Sequence, residues 1–216
     1  MKYKLIILDF DGTLADTFHW FVKNVRAVAD KYGFKRIKDE EIEELRNFDA
    51  KHMLKHVEFP ILKLPLIAAH MRGLMKKEIH TITLFGGVPD MLHKLHDARF
   101  TLAVVSTNSK ENVKSVLGDD LSALITDFEC GVSLFSKEAK LKKISHKCKI
   151  PLSEAIYIAD EVRDFESAQN VGLDLGAVAW GYTNPEALKK LQPTLFFENV
   201  EEIGEKLVEK VKKSIQ

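Results

Sequence analysis

A chain of 216 residues is long enough to bury a substantial core, either as one large domain or as a core carrying a smaller insertion. Its 32 basic residues balance 32 acidic ones, so no net field recruits nucleic acid or an anionic membrane, and neither is expected as a partner. Two cysteines, Cys130 and Cys148, without Cys-x-x-Cys spacing, fit reduced thiols in a cytoplasmic protein better than a disulfide framework or a zinc site.

The first element is the apolar run Ile6, Ile7, Leu8, which breaks into Asp9, Phe10, Asp11, Gly12 and Thr13. It is too brief for a signal-peptide core or a membrane span. It reads as a buried parallel strand that delivers two carboxylates to a sheet edge. With a side-chain period of two, Asp9 and Asp11 leave the same side, about 7 Å apart at Cα while the strand stays extended, and like charges that close need a cation.

Helical spacing follows: Phe18, Phe21, Val22, Val25, Val28, Ala29 and Tyr32 share one face, and Gly33 is a stop. Residues 37–82 hold more helical stretches, at 40–48, 50–57 and 66–79, and no strand, with Pro60 and Pro65 marking a turn between them. Residues 15–18 and 83–88 are the joints of this all-helical insertion, the second loosened by Gly86 and Gly87. Beyond it, helices are expected at 89–97, 111–117, 137–147, 165–171, 185–191 and 200–212. Strands are expected at 101–105, 123–125, 155–159, 174–179 and around Leu195. Such alternation predicts a doubly wound parallel sheet, which binds ligands at the C-terminal ends of its strands.

Those ends carry chemistry. The strand closing at Val105 runs into Ser106, Thr107, Asn108 and Ser109, hydroxyl and amide groups before a helix N-terminus that favours an anion. The strand closing at Ala159 delivers Asp160 and Glu161, with Asp164 one helical turn on. The pairs His52/His56 and His93/His96 have helical spacing but no third ligand, and read as partly exposed helix residues. Trp20 and Phe21 read as packing within the helical insertion.

Asp9, Phe10, Asp11, Gly12 and Thr13 after an apolar strand resemble the first motif, Asp-x-Asp-Gly-Thr, of the haloacid dehalogenase superfamily of phosphohydrolases. The resemblance implies a Rossmann-like core of residues 1–15 and 83–216 and a helical cap of residues 16–82 that closes over the site and selects substrate. It implies that Asp9 is a nucleophile toward phosphorus and Asp11 a general acid, then base. Ser106 matches the second motif, with Thr107 the close alternative. Gly12 and Thr13 join them around the phosphate. Lys137, opening a helix after Leu134, Phe135 and Ser136, resembles the third motif. Asp160 and Asp164 resemble the fourth, with Ala159 where glycine is commoner.

Magnesium is the implied cofactor, held by Asp9, Asp11 (through its backbone carbonyl), Asp160 and waters. Asp164 and Glu161 stand behind them, Asp164 holding a ligand water or Lys137. The implied activity is hydrolysis of a small phosphorylated metabolite through an aspartyl phosphate, nearest the phosphoglycolate-phosphatase-like branch. A sugar phosphomutase would share all four motifs. A phosphoacceptor receiver module would share Asp, Ser/Thr, Lys and magnesium, but would be shorter and lack both Asp-Gly-Thr and the insertion.

Overall fold

The computed structural model describes residues 2–131 and 137–212. Leu134, Phe135 and Ser136, expected to lead into the helix of Lys137, lie outside them. The elements run β1 (Leu5–Leu8), β2 (Ala15–Asp16), α1 (Phe18–Tyr32), α2 (Ile42–Leu45), α3 (Ala50–His56), α4 (Leu64–Lys77) and β3 (Thr83–Leu84). Then come α5 (Val88–Asp97), β4 (Thr101–Val105), α6 (Lys110–Leu124), β5 (Asp127–Glu129), α7 (Lys137–Cys148) and β6 (Ala155–Ala159). The chain ends with α8 (Val162–Asn170), β7 (Asp174–Val178), α9 (Pro185–Lys190), β8 (Leu195–Phe197) and α10 (Glu201–Lys212).

Six strands form one parallel sheet in the order β5-β4-β1-β6-β7-β8, the doubly wound arrangement expected from the alternation of elements. β1 is apolar throughout because it is covered on both faces. Ile6 and Leu8 join Leu102, Val104, Ile156 and Ile158 in the cluster under α5, α6 and α10. Leu5 and Ile7 join Ala103, Val105, Ala155 and Tyr157 in the cluster under α7 and α8. From β1 the chain proceeds to β4 and β5, then crosses back to β6 on the other side, so the strand order reverses beside β1, where doubly wound sheets take ligands.

The helices α1 to α4 all lie between β2 and β3. These two pair antiparallel, Ala15 with Leu84 and Asp16 with Thr83, so the helical segment leaves and re-enters through one short ribbon. Gly33 ends α1 in the left-handed conformation (φ 75°), its N–H returning to the Ala29 carbonyl. Among the described residues no helix is long and apolar enough to cross a membrane. His52 pairs with Asp49 on its own helix, and His93 and His96 are exposed on α5.

The strand expected at 123–125 is a correction. Those residues close α6, which is broken at Gly118 (φ 71°) and continues to Leu124, and the strand is β5, two residues further on. Leu117, Leu121 and Ile125 are buried in the cluster beneath α6, and an apolar run this short serves a helix face as well as a strand. The backbone joins the sheet only where the Thr126 N–H reaches the Leu102 carbonyl and Asp127 takes its register against Ala103.

Candidate active site

The β1 ladder stops at Leu8, and the chain then coils tightly: the Phe10 carbonyl accepts from the N–H groups of Leu14 and Ala15. Asp9, 3% exposed, sits at the head of this coil. Its Oδ1 accepts the Phe10 N–H at 2.8 Å and its Oδ2 accepts Lys137 Nζ at 2.5 Å. Gly12 makes the turn with φ 75°, and a Cβ there would lie 2.2 Å from Asp160 Oδ2, so only glycine fits on both counts. Thr13 Oγ1 donates to Asp160 Oδ1 at 2.9 Å, and the Tyr182 N–H donates to Asp160 Oδ2 at 2.7 Å.

Lys137, at the start of α7, is 1% exposed and bridges two carboxylates. Besides Asp9 it donates to Asp164 Oδ1 at 2.6 Å and to the Tyr157 hydroxyl at 2.9 Å. Tyr157 in turn donates to Asp164 Oδ1 at 3.0 Å. Asp9, Asp160 and Asp164 each place a carboxylate oxygen within 4.8 Å of the others, all buried. Asp164 Oδ2 is buried with no hydrogen-bond partner among the described residues.

Burial dominates the electrostatics. It raises the Asp9 carboxyl to about 7, although Lys137 pulls the other way, and it holds Asp160 well above the ordinary carboxylate range. Burial also works against the Lys137 ammonium, yet Asp164 and Asp9 outweigh it and its pKa stands above the ordinary value. Three buried carboxylates thus lie together with one ammonium that reaches two of them, and Arg163 pairs with Glu161 nearby. The excess of hard oxygen donors and the orphaned Asp164 Oδ2 fit a divalent cation of the magnesium kind.

Asp11 stands apart from this group. β1 pairing runs to Leu8, with the Asp9 N–H still donating to the Ile158 carbonyl at 2.9 Å, and the turn that starts at the Phe10 carbonyl follows. Both Asp11 oxygens accept from Asn108 Nδ2, at 3.1 and 3.2 Å. Burial lifts its carboxyl to about 6, with hydrogen bonds from Asn108 and Thr17 opposing. Ser106 is fully buried and its Oγ accepts the Asn108 N–H at 3.0 Å, while Thr107 is half-buried and borders a cavity. That cavity, ≈ 450 Å³, runs from Asp11, Thr107, Asn108, Glu161 and Arg163 into the helices α1, α3 and α4, where Trp20 and Phe21 line it.

Sequence reasoning placed Asn108 among the donors at the end of its strand without pairing it to Asp11, and passed over Tyr157, Arg163, Gly181 and Tyr182. Gly181 packs so closely on Asp160 that a Cβ would lie 2.1 Å from the Asp160 Cβ. The strand-end rule that found Asp160 applied equally to Trp180, Gly181 and Tyr182 after β7. Nothing in the apolar run of β6 set the Tyr157 hydroxyl apart.

The α/β fold gathers buried carboxylates and an ammonium at the C-terminal edge of a parallel sheet, where such sheets take ligands. The family model described as haloacid dehalogenase-like hydrolase matches residues 6–178, and the chain belongs to that family. It is 27% identical over 194 residues to phosphoglycolate phosphatase from Synechococcus elongatus, covering 89% of this chain and 92% of the relative. It is 24% identical over 195 residues to N-acetylmuramic acid 6-phosphate phosphatase from Pseudomonas aeruginosa, covering 86% of each. The crystal structure of a predicted phosphatase from Clostridium acetobutylicum superposes with a TM-score of 0.81 at 20% identity, over 97% of this chain and 100% of that one.

Proposed function

We propose that this chain is a magnesium-dependent phosphatase that hydrolyses a small phosphomonoester through an aspartyl phosphate on Asp9, with residues 16–82 acting as a cap over the site. The observation that carries the reading is the buried array of Asp9, Lys137 and Asp164 beside Asp160, with Asp11 held separately by Asn108. Phosphoglycolate, named for the cyanobacterial relative, is the reference substrate.

Asp9 attacks phosphorus through a carboxylate oxygen, and the bond to the leaving alkoxide breaks as the acyl phosphate forms. Lys137, pinned between Asp9 and Asp164, orients the nucleophile and offsets charge on the phosphoryl oxygens, with Ser106 or Thr107, Gly12 and Thr13 around them. Asp11 gives its proton to the leaving alkoxide, then takes one from the water that hydrolyses the acyl phosphate. A carboxyl raised to about 6 suits both tasks near neutral pH. Asp9, Asp160 and the Asp11 backbone carbonyl would hold magnesium, with Asp164 and Glu161 behind them, and the ion when bound neutralises charge shared by carboxylates and phosphate.

The test uses p-nitrophenyl phosphate with magnesium or excess chelator, followed by rapid acid quenching and intact-mass measurement of Asp9→Asn and Asp11→Asn. Turnover should need magnesium. A protein one phosphoryl group heavier should accumulate on Asp11→Asn, whose p-nitrophenolate leaving group needs little protonation, and hydrolysis should slow on the order of a hundredfold. Asp9→Asn should stay unmodified. Equal phosphorylation of the two variants, or full turnover in chelator, would overturn the mechanism.

A further inference from the structure

The cavity above Asp11 has two unlike ends. Its polar groups gather at the sheet edge, where Asp11, Thr107, Asn108, Glu161 and Arg163 border it. Two other arginines on its wall are tied to backbone: Arg46 donates to the Tyr182 and Gly181 carbonyls at 3.0 and 3.1 Å, and Arg72 to the Thr107 carbonyl at 3.3 Å. The rest of the wall, drawn from α1, α3, α4 and their connections, is almost wholly apolar.

Those apolar side chains are only partly packed. Among the described residues of the four helices, Val28, Ala29, Leu45, Ile67 and Met75 are the buried apolar ones, and Met75 alone joins the large clusters around the sheet. Phe21, Val25, Phe48, Met53, Phe59 and Met71 are only half-buried, and each faces the cavity. An apolar surface held open beside a polar end is the form of a pocket for a ligand with one charged head and one apolar body. The volume of ≈ 450 Å³ lies in the range of about 300–1,000 Å³ that encloses ligands far larger than the two-carbon acid of phosphoglycolate.

Resting on the phosphatase reading, we propose that the alcohol carried by the phosphoryl group has a bulky apolar body, aromatic or branched aliphatic, seated among Phe21, Val25, Phe48, Met53, Phe59 and Met71. The phosphoryl group lies at the sheet edge, and the body extends into the helical segment. A two-carbon acid leaves this wall wet.

The experiment compares kcat/KM for ethyl, butyl, hexyl and 3-phenylpropyl phosphate and for phosphoglycolate, with magnesium present. The alkyl esters share nearly the same leaving-group acidity, so differences among them report on the pocket. Each methylene that leaves water contributes up to about fourfold, so hexyl phosphate should exceed ethyl phosphate by on the order of a hundredfold. The 3-phenylpropyl ester should match or exceed it, and phosphoglycolate should do no better than the ethyl ester. Ala68→Trp, whose indole would occupy the cavity from α4, should lower the hexyl-to-ethyl ratio at least tenfold, with Val25→Phe as the substitute should that variant not fold. A flat or falling series in an enzyme that hydrolyses the short esters would overturn this proposal and leave the phosphatase reading intact. Release of phosphate from none of the esters would overturn both.

Discussion

Replacing Lys137 with methionine keeps an unbranched side chain one atom shorter and removes its charge. Nζ loses contacts at 2.5 Å to Asp9, 2.6 Å to Asp164 and 2.9 Å to Tyr157, all inside a region where neither carboxylate is more than 4% exposed. Leaving one side of a buried ion pair uncompensated costs about 3–5 kcal/mol. For a chain of this size each kcal/mol moves the melting temperature by about 2–4 °C, so Lys137→Met should melt about 6–20 °C lower. The check is thermal unfolding by circular dichroism, without divalent cations, at pH 8 and pH 5.5. Asp9 has a folded pKa of about 7 against an ordinary 3.8, so its ionisation costs stability as pH rises through that interval. Removing Lys137 raises the folded value further. At pH 5.5 Asp9 keeps its proton with or without the lysine, so the loss should be smaller there than at pH 8. Adding Asp164→Asn to Lys137→Met should recover part of the loss, since one of the two stranded charges goes. A melting temperature within 2 °C of the parent at pH 8, or a larger loss at pH 5.5, would refute the reasoning.

Two further outcomes are expected away from that pair. Gly12→Ala forces a Cβ to 2.2 Å from Asp160 Oδ2 at φ 75°, which should cost about 2–4 kcal/mol in urea unfolding and abolish turnover; unchanged stability would show that the coil relaxes freely. Glu129 is buried in β5, which opposes its charge, yet Lys143, Lys147 and Lys140 hold its carboxyl down to about 2. That depressed value stabilises the fold above the ordinary 4.5, and the stabilisation fades as pH falls toward 2. Glu129→Gln should therefore be less stable than the parent at pH 7 and converge on it between pH 4.5 and pH 2, and a gap independent of pH in urea titrations would exclude this account.

The sheet was legible because central parallel strands are apolar on both faces, and β1, β4 and β6 each end in residues that have no business in a core. Asp9, Asp160 and Asp164 could be brought to one edge from sequence because doubly wound geometry leaves no other place for strand ends. What the sequence concealed is pairing across long stretches of chain. Asp11 meets Asn108, 97 residues away, a partner that a period-two reading of the first strand cannot supply. Tyr157 looked like one more apolar strand residue until Lys137 arrived from another helix to meet its hydroxyl. β5 was misplaced because the residues before it, apolar and short in run, belong to a helix face. His52 had helical spacing with His56 but closes on Asp49, a partner on its own turn that spacing between histidines does not reveal.

The central position of β1 sets the order in which this molecule can be made. Its four residues leave the ribosome before the other strands of the sheet, yet Leu5 pairs with Thr101 on one side and Ala155 on the other, 150 residues later. At a synthesis rate of about 5–20 residues per second, the strand waits about 8–30 s for its second neighbour. Until β4 is made, Leu5, Ile6, Ile7 and Leu8, all fully covered in the finished fold, form an apolar ribbon with both edges open, and until β6 is made one edge stays open. A nascent chain that stalls before β6 presents that ribbon unpaired on one side, an edge open to pairing with another chain.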